Sequence, residues 1–163
     1  MQLTSSAFTN DSLIPTHFTG SGQDVSPAME WTGVLEECKS LALVCEDMDA
    51  PEIAGQDHPF VHWLVYNISP EIHSLREGLP KGEQLEGVLA YQGVNSFEKF
   101  GYNGPLPPVG DRAHRYVFTL YALNKSLDLI PNATIADLYQ AMQVHVIQTS
   151  RLSGYYERVA TET

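Results

Sequence analysis

The sequence is short of positive charge. Nine lysines and arginines stand against twenty aspartates and glutamates, for a formal net charge of −11. Proteins that grip a polyanion do so through lysine and arginine contacts to phosphate and the counterions these release. The deficit argues against nucleic acid and anionic membrane surfaces as partners. It leaves room for a small anion, because salt screens the global field beyond about 8–10 Å and a local pocket can oppose it. Cysteine is scarce as well, with only Cys38 and Cys45. Two such residues form neither a disulfide framework nor a metal-ligand motif. Cys45 closes the apolar run LALVC and reads as a buried, inert thiol. No apolar run approaches the roughly 18 residues of a membrane span, so stable membrane insertion is not expected. The opening stretch MQLTSSAFTNDSLIP has neither the basic nor the apolar region of a secretory signal, and a cytoplasmic location is the expectation. Gly-x-Ser-x-Gly, the nucleophile elbow of many hydrolases, is missing.

What is present reads as one β-rich domain over residues 1–163. A chain of this size buries on the order of 70% of its extended surface and needs no cross-links. Residues 41–45, 60–68 and 114–123 read as strands, rich in aliphatic, aromatic and β-branched side chains. Residues 85–91 suggest a shorter strand. Residues 95–113 are irregular, punctuated by three glycines and three prolines. A loop of that length inside a compact domain is usually functional or disordered. Phe97, Phe100 and Tyr102 favour an ordered one. Near the C-terminus, Thr134 and Asp137 have the spacing of a helix N-cap and its N3 carboxylate. Ile135, Leu138, Ala141, Met142, His145 and Leu152 then follow a helical period, with Gly154 as the stop. The pattern predicts one amphipathic helix of about 17–19 residues. His145 is read as a satisfied core or interface histidine on its stripe.

Strand alternation places the chemistry. Side chains at i and i+2 share a face. His114 and Tyr116 therefore lie with Phe118 and Leu120, while Arg115 points to the opposite face. His62 is placed with Phe60, Leu64 and Tyr66. Asp47 is in phase with Leu43 and Cys45. If the first strand runs antiparallel to the other two, Asp47 meets His62, His114 and Tyr116 at one end of the sheet. Burying such groups costs free energy unless they bond to one another or to a ligand. Arg115 is read as half of a buried ion pair, the other reading being a surface cation. Arg112, at the loop edge, is read as a solvated loop residue, the other reading being a supplement to an anion site.

These residues carry a resemblance. Asp47-Met48-Asp49-Ala50-Pro51 is similar to the Asp-Pro-Asp-Ala-Pro signature of the phosphatidylethanolamine-binding protein (PEBP), or Raf-kinase-inhibitor-like, family. FVHWLVYNI at 60–68 resembles its His-Trp/Phe-Leu-Val-x-Asn-Ile motif, and GYNGPLPPVG at 101–110 running into His114-Arg115-Tyr116 resembles its second signature. Asn95-Ser96-Phe97 and Ser26-Pro27-Ala28-Met29-Glu30-Trp31 resemble the bacterial and archaeal branch. The likeness covers about residues 20–158. It implies a Greek-key sandwich of two antiparallel sheets with a few peripheral helices, one of them near the C-terminus. It also implies a cavity that binds a small anion: phosphate, a phospholipid headgroup or a carboxylate. Its ligand-binding positions fall on Asp47, Asp49, His62, Gly104, Pro108, His114 and Tyr116. No cofactor is implied, a homodimer is allowed, and the family's regulatory and inhibitory roles point to a protein partner of the kinase or protease class. Met48 replaces the family's proline and leaves its loop less constrained.

Three functional classes follow. A binding or regulatory module is favoured over catalysis. A hydrolase using a His/Asp acid–base site on phosphate or ester substrates is the alternative. A metal site made of Asp47, His62 and His114 has the right ligand count but not the usual local spacing, and no metal is expected.

Overall fold

In a computed structural model that describes residues 1–51 and 55–160, the chain runs through ten strands and one α-helix. These are β1 (Gln2–Thr4), β2 (Ser12–Leu13), β3 (Met29–Thr32), β4 (Ser40–Asp47), β5 (Phe60–Ile68), β6 (Ser74–Leu75), β7 (Gln84–Leu85), β8 (Ala90–Gln92), β9 (His114–Leu123), α1 (Ile135–Met142) and β10 (Val146–Tyr156). β1, β3 and β6 form a small antiparallel sheet. The large sheet has the order β2-β10-β9-β4-β5-β8-β7. Its pairs are antiparallel except β2 with β10. Within it, β4, β5 and β8 lie side by side and β9 returns to flank β4, which is the Greek-key order.

β4 is buried at every position because both of its faces are covered, so it reads as an unbroken apolar run. Leu41, Leu43 and Cys45 pack toward the small sheet with Trp63, Phe118, Leu120, Trp31 and Met29. Ala42 and Val44 pack the other way, with Leu64 and Tyr66, against Ile135, Leu138 and Met142 of α1. β4 is antiparallel to both β5 and β9, as the alternation argument required. Asp47 is paired with Phe60 on one side and Tyr116 on the other, so three strand ends meet at one edge of the sandwich.

Three expectations fail, each for a local reason. Cys45 pairs with Trp63 but Glu46 pairs with Val61, so β5 carries one extra residue, His62, in a β-bulge. The bulge turns His62 toward Tyr116, onto the face opposite Leu64 and Tyr66. The predicted helix also stops early. The capping box at Thr134 and Asp137 starts it as expected, but α1 ends at Met142. Val144 takes a left-handed φ of 64°, and β-branched Val146, Ile147 and Thr149 enter β10. His145 sits in the connecting turn, its Nδ1–H donating to Asn124 Oδ1 at 3.0 Å. The expected strand at 85–91 is split into β7 and β8 by a 3₁₀ turn at Glu86–Val88.

Gly154 is thus a strand residue rather than a helix stop. A Cβ there would lie 2.6 Å from Ile14 Cγ1 and 2.9 Å from Phe8 Cε2. Gly154→Ala is expected to destabilise the fold by about 1–3 kcal/mol through overpacking. The check is a lower urea midpoint with an unchanged m value.

Candidate functional site

The meeting of β4, β5 and β9 brings together four of the predicted residues. His114 Nδ1 lies 2.8 Å from Asp47 Oδ2, and both side chains are buried. The other ring nitrogen, Nε2, lies 3.0 Å from Asp111 Oδ2. With a carboxylate oxygen facing each ring nitrogen, the doubly protonated imidazolium is the favoured form. Burial works against that charge, but the hydrogen bonds to Asp47 and Asp111 outweigh it and raise the pKa of His114. Asp47 is held in turn. Its Oδ1 accepts from the Asp49 N–H at 2.8 Å.

His62 behaves in the opposite way. Its Nδ1–H donates to the Asn103 carbonyl at 2.6 Å, which fixes the tautomer and leaves Nε2 as an acceptor. Burial lowers its pKa, so it is neutral at physiological pH. Tyr116 lies between the histidines. Its ring centroid is 5.2 Å from that of His62, edge to face, and 6.4 Å from that of His114. The phenol is fully buried, and among the described residues no hydrogen-bond partner meets its hydroxyl in good geometry. Burial, reinforced by the charge and close approach of the Asp47 carboxylate, pushes its pKa far above the usual tyrosine range.

The remaining predicted residues shape the walls. Asp49 Oδ2 accepts from the Arg115 backbone N–H at 2.7 Å, and the Met48 N–H donates to the Arg115 carbonyl at 2.9 Å. The Asp-Met-Asp loop is thereby stitched to the head of β9, although Met48 itself is exposed. Gly104 is needed for close approach. A Cβ there would sit 2.3 Å from the Phe18 carbonyl oxygen. Its N–H donates to Asp24 Oδ1 at 2.6 Å. Pro108 is exposed and contributes through its carbonyl, which accepts from the Asp111 N–H at 3.2 Å.

The 95–113 loop is ordered from within. Buried Asn95 donates to the Gly101 carbonyl at 2.9 Å and to Asn103 Oδ1 at 2.8 Å, and accepts from the Phe97 N–H at 2.9 Å. Two hollows open beside the cluster. One of about 320 Å³ is lined by Asp47, Met48 and His58, and one of about 780 Å³ by Asp49, Asp111 and His114. His62 and Tyr116 line neither.

Arg115 is not part of a buried ion pair. It is exposed, and its guanidinium donates to Ser153 Oγ at 3.1 Å. The surface strand position leaves it in reach of water, so no carboxylate is required. Arg112 is exposed on its loop, as read from the sequence. Sequence reasoning missed Asp111, Asn103 and Asp24. Asp111 had one faint signal, a carboxylate three residues before a candidate histidine. Among the described residues, no group of three or more His, Cys, Asp or Glu is placed to hold a metal ion.

The two histidines give stability opposite pH dependences. The folded-state pKa of His114 lies above its unfolded value, so its contribution is complete below about pH 6.5 and is lost as pH rises through the raised value. That of His62 lies below, so its neutral state favours folding above about pH 6.5 and becomes a cost as pH falls through the lowered value. Urea unfolding between about pH 5.5 and 9 should show stability declining on both sides of neutrality. Asp47→Asn should flatten the alkaline decline, and His62→Gln the acid one.

Comparison with known proteins now bears on this geometry. The family model described as phosphatidylethanolamine-binding protein matches residues 4–157. A UPF0098 protein of Methanothermobacter thermautotrophicus is 42% identical over 97% of this chain and 99% of its own length. The crystal structure of a PEBP homologue from Chlamydia trachomatis is 39% identical, with a TM-score of 0.84 over 96% of this chain and 97% of that one. E. coli YbcL, described as a member of the mammalian PEBP family, is 29% identical with a TM-score of 0.83, over 96% of this chain and 98% of that one. Among the described residues no helix is long and apolar enough to cross a membrane. The chain belongs to the phosphatidylethanolamine-binding protein family.

Proposed function

We propose that the protein binds a small, compact anion at the joint head of β4, β5 and β9. Phosphate, a phospholipid headgroup phosphate or a carboxylate would fit. The observation that carries this reading is the Tyr116 hydroxyl, a fully buried donor with no well-aligned partner among the described residues. An unsatisfied buried hydroxyl costs about 1–3 kcal/mol, and an incoming oxygen would recover that cost. The imidazolium of His114 supports the reading, since its Nε2–H is a charge-assisted donor. Neutral His62 adds an acceptor at Nε2, which suits a ligand oxygen that still carries a proton, as in a phosphate monoanion.

The acidic surroundings do not oppose this at short range. The charge of Asp47 is opposed by His114 and its other oxygen is engaged by the Asp49 N–H, while Asp49 is engaged by the Arg115 N–H. Catalysis is less well supported. Among the described residues no serine or threonine hydroxyl bonds to either histidine, both nitrogens of His114 face carboxylates, and Cys45 is buried with its pKa raised well above the thiol range by desolvation. The effect of binding would then be exerted through a protein partner, of the kinase or protease class, in a regulatory or inhibitory role.

Tyr116→Phe separates binding from stability. It should weaken phosphate or carboxylate binding about tenfold in calorimetric titration. The same change should leave the free fold unharmed or more stable by about 1 kcal/mol, because it deletes an unsatisfied group. Affinity in the unaltered protein should fall as pH rises through the raised pKa of His114. Equal affinity in both proteins, with no pH dependence, would overturn the reading.

A further inference from the structure

The two carboxylates on His114 are unlike. Asp47 is buried in β4 with both oxygens engaged. The Asp111 side chain is 46% exposed, and among the described residues its only side-chain partner is the Nε2 of His114. Its position is set by a turn. The Asp111 N–H bonds the Pro108 carbonyl, and Gly110 between them takes a φ of 97°, as the third position of a type II turn requires. The exposed turn therefore reaches inward through one carboxylate to cover a buried imidazolium.

A carboxylate in that place has the chemistry of the ligand. It is a compact anion with two oxygens, accepting a charge-assisted hydrogen bond from the donor that an oxyanion would seek. We infer that Asp111 is an intramolecular stand-in for the ligand, which an incoming oxyanion must displace from His114 Nε2 before it can reach the Tyr116 hydroxyl. This rests on the anion-binding reading and adds an affinity- and charge-determining residue to it. Bound Asp111 lowers apparent affinity by the fraction of molecules in which it sits on His114. Displaced, it remains a negative charge at the rim and disfavours a dianion relative to a monoanion. The charged and titratable groups around His114 are Asp47 from β4, Asp49 from the loop after it, Tyr116 and Arg115 from its own strand, Asp111 and Arg112 from the turn, and Tyr155 from β10.

The test uses the full chain with Asp111→Asn and Asp111→Ala, both at a solvent-exposed side chain. Glu157→Gln serves as a charge control, one residue past Tyr156, which pairs with His114 in register. The imidazole of His114 is titrated by NMR, and inorganic phosphate and acetate are titrated by calorimetry near neutral pH. Loss of the Asp111 contact should lower the His114 pKa, independently of any ligand. It should tighten phosphate binding about tenfold, with a smaller gain for the monoanion acetate. Glu157→Gln should change phosphate affinity less than twofold, by the small effect of one screened surface charge. A lowered His114 pKa with measurable but unchanged phosphate affinity would overturn the stand-in role while leaving the anion site intact. So would an equal gain in Glu157→Gln, which marks a general field effect. An unchanged His114 pKa would remove the contact itself. Failure of every protein to bind either anion would overturn the anion-binding reading, and this inference with it.

Discussion

The hydrogen bond between Asp47 and His114 organises this end of the molecule. It joins the last residue of β4 to the first of β9, and those strands form the centre of the large sheet. Burying either partner alone would leave a charged group without compensation. Buried together, each justifies the other, and the sheet edge gains a fixed imidazolium instead of a packed hydrocarbon. The loop after β4 then has its course set. Asp47 takes the Asp49 N–H, and Asp49 takes the N–H of Arg115, the residue next to His114. One ion pair thus fixes a strand end, a loop and a ring orientation. That explains why this loop tolerates Met48 where a proline would pre-shape it: closure comes from carboxylates bonding β9, not from φ.

The third wall of the cluster is irregular. In a regular β5, His62 would lie with Leu64 and Tyr66 under α1, far from the chemistry. The extra residue at the Cys45–Trp63 and Glu46–Val61 step turns it to the other face. A slip of one residue changes every side chain's face, and a bulge confines that change to one position. The cost is a disturbed ladder at the strand's end, which the Asn103 N–H repairs by donating to the His62 carbonyl at 3.1 Å.

Much of this was legible in the sequence, and the failures share a cause. β4, β5 and β9 declared themselves by composition, and the convergence of their polar groups rested on the supposition that β4 is antiparallel to the other two, which the pairing bears out. The faces of His114 and Tyr116 were correct because β9 is regular against β4 across its length. His62 was assigned to the wrong neighbours because a bulge has no signature in a period-2 pattern. α1 was overextended because His145 and Leu152 satisfy a helical spacing by coincidence, while the left-handed turn at Val144 leaves no composition signal. Arg115 was given a buried partner by analogy with its apolar neighbours, yet its side chain at the head of β9 is exposed. Asp111 had only the faint signal of its spacing from His114. Its importance depends on a turn geometry that brings a loop carboxylate to a ring three residues away.

The acidity of the chain also takes on a different meaning. With nine basic residues against twenty acidic ones, the long-range field repels anions, so no steering can draw one in. Recognition must come from contacts shorter than the screening length, where individual hydrogen bonds outweigh net charge. The site is built that way. Its buried donors are the His114 ring, already balanced by carboxylates, and the Tyr116 phenol, while Arg112 and Arg115 stand exposed on the wall of the adjoining hollow. A polyanion would meet repulsion over its whole length for the sake of one such contact. On the anion-binding proposal, a compact anion would meet it only during approach. A charge balance unfavourable to nucleic acid would then favour a guest small enough to leave the surface field behind.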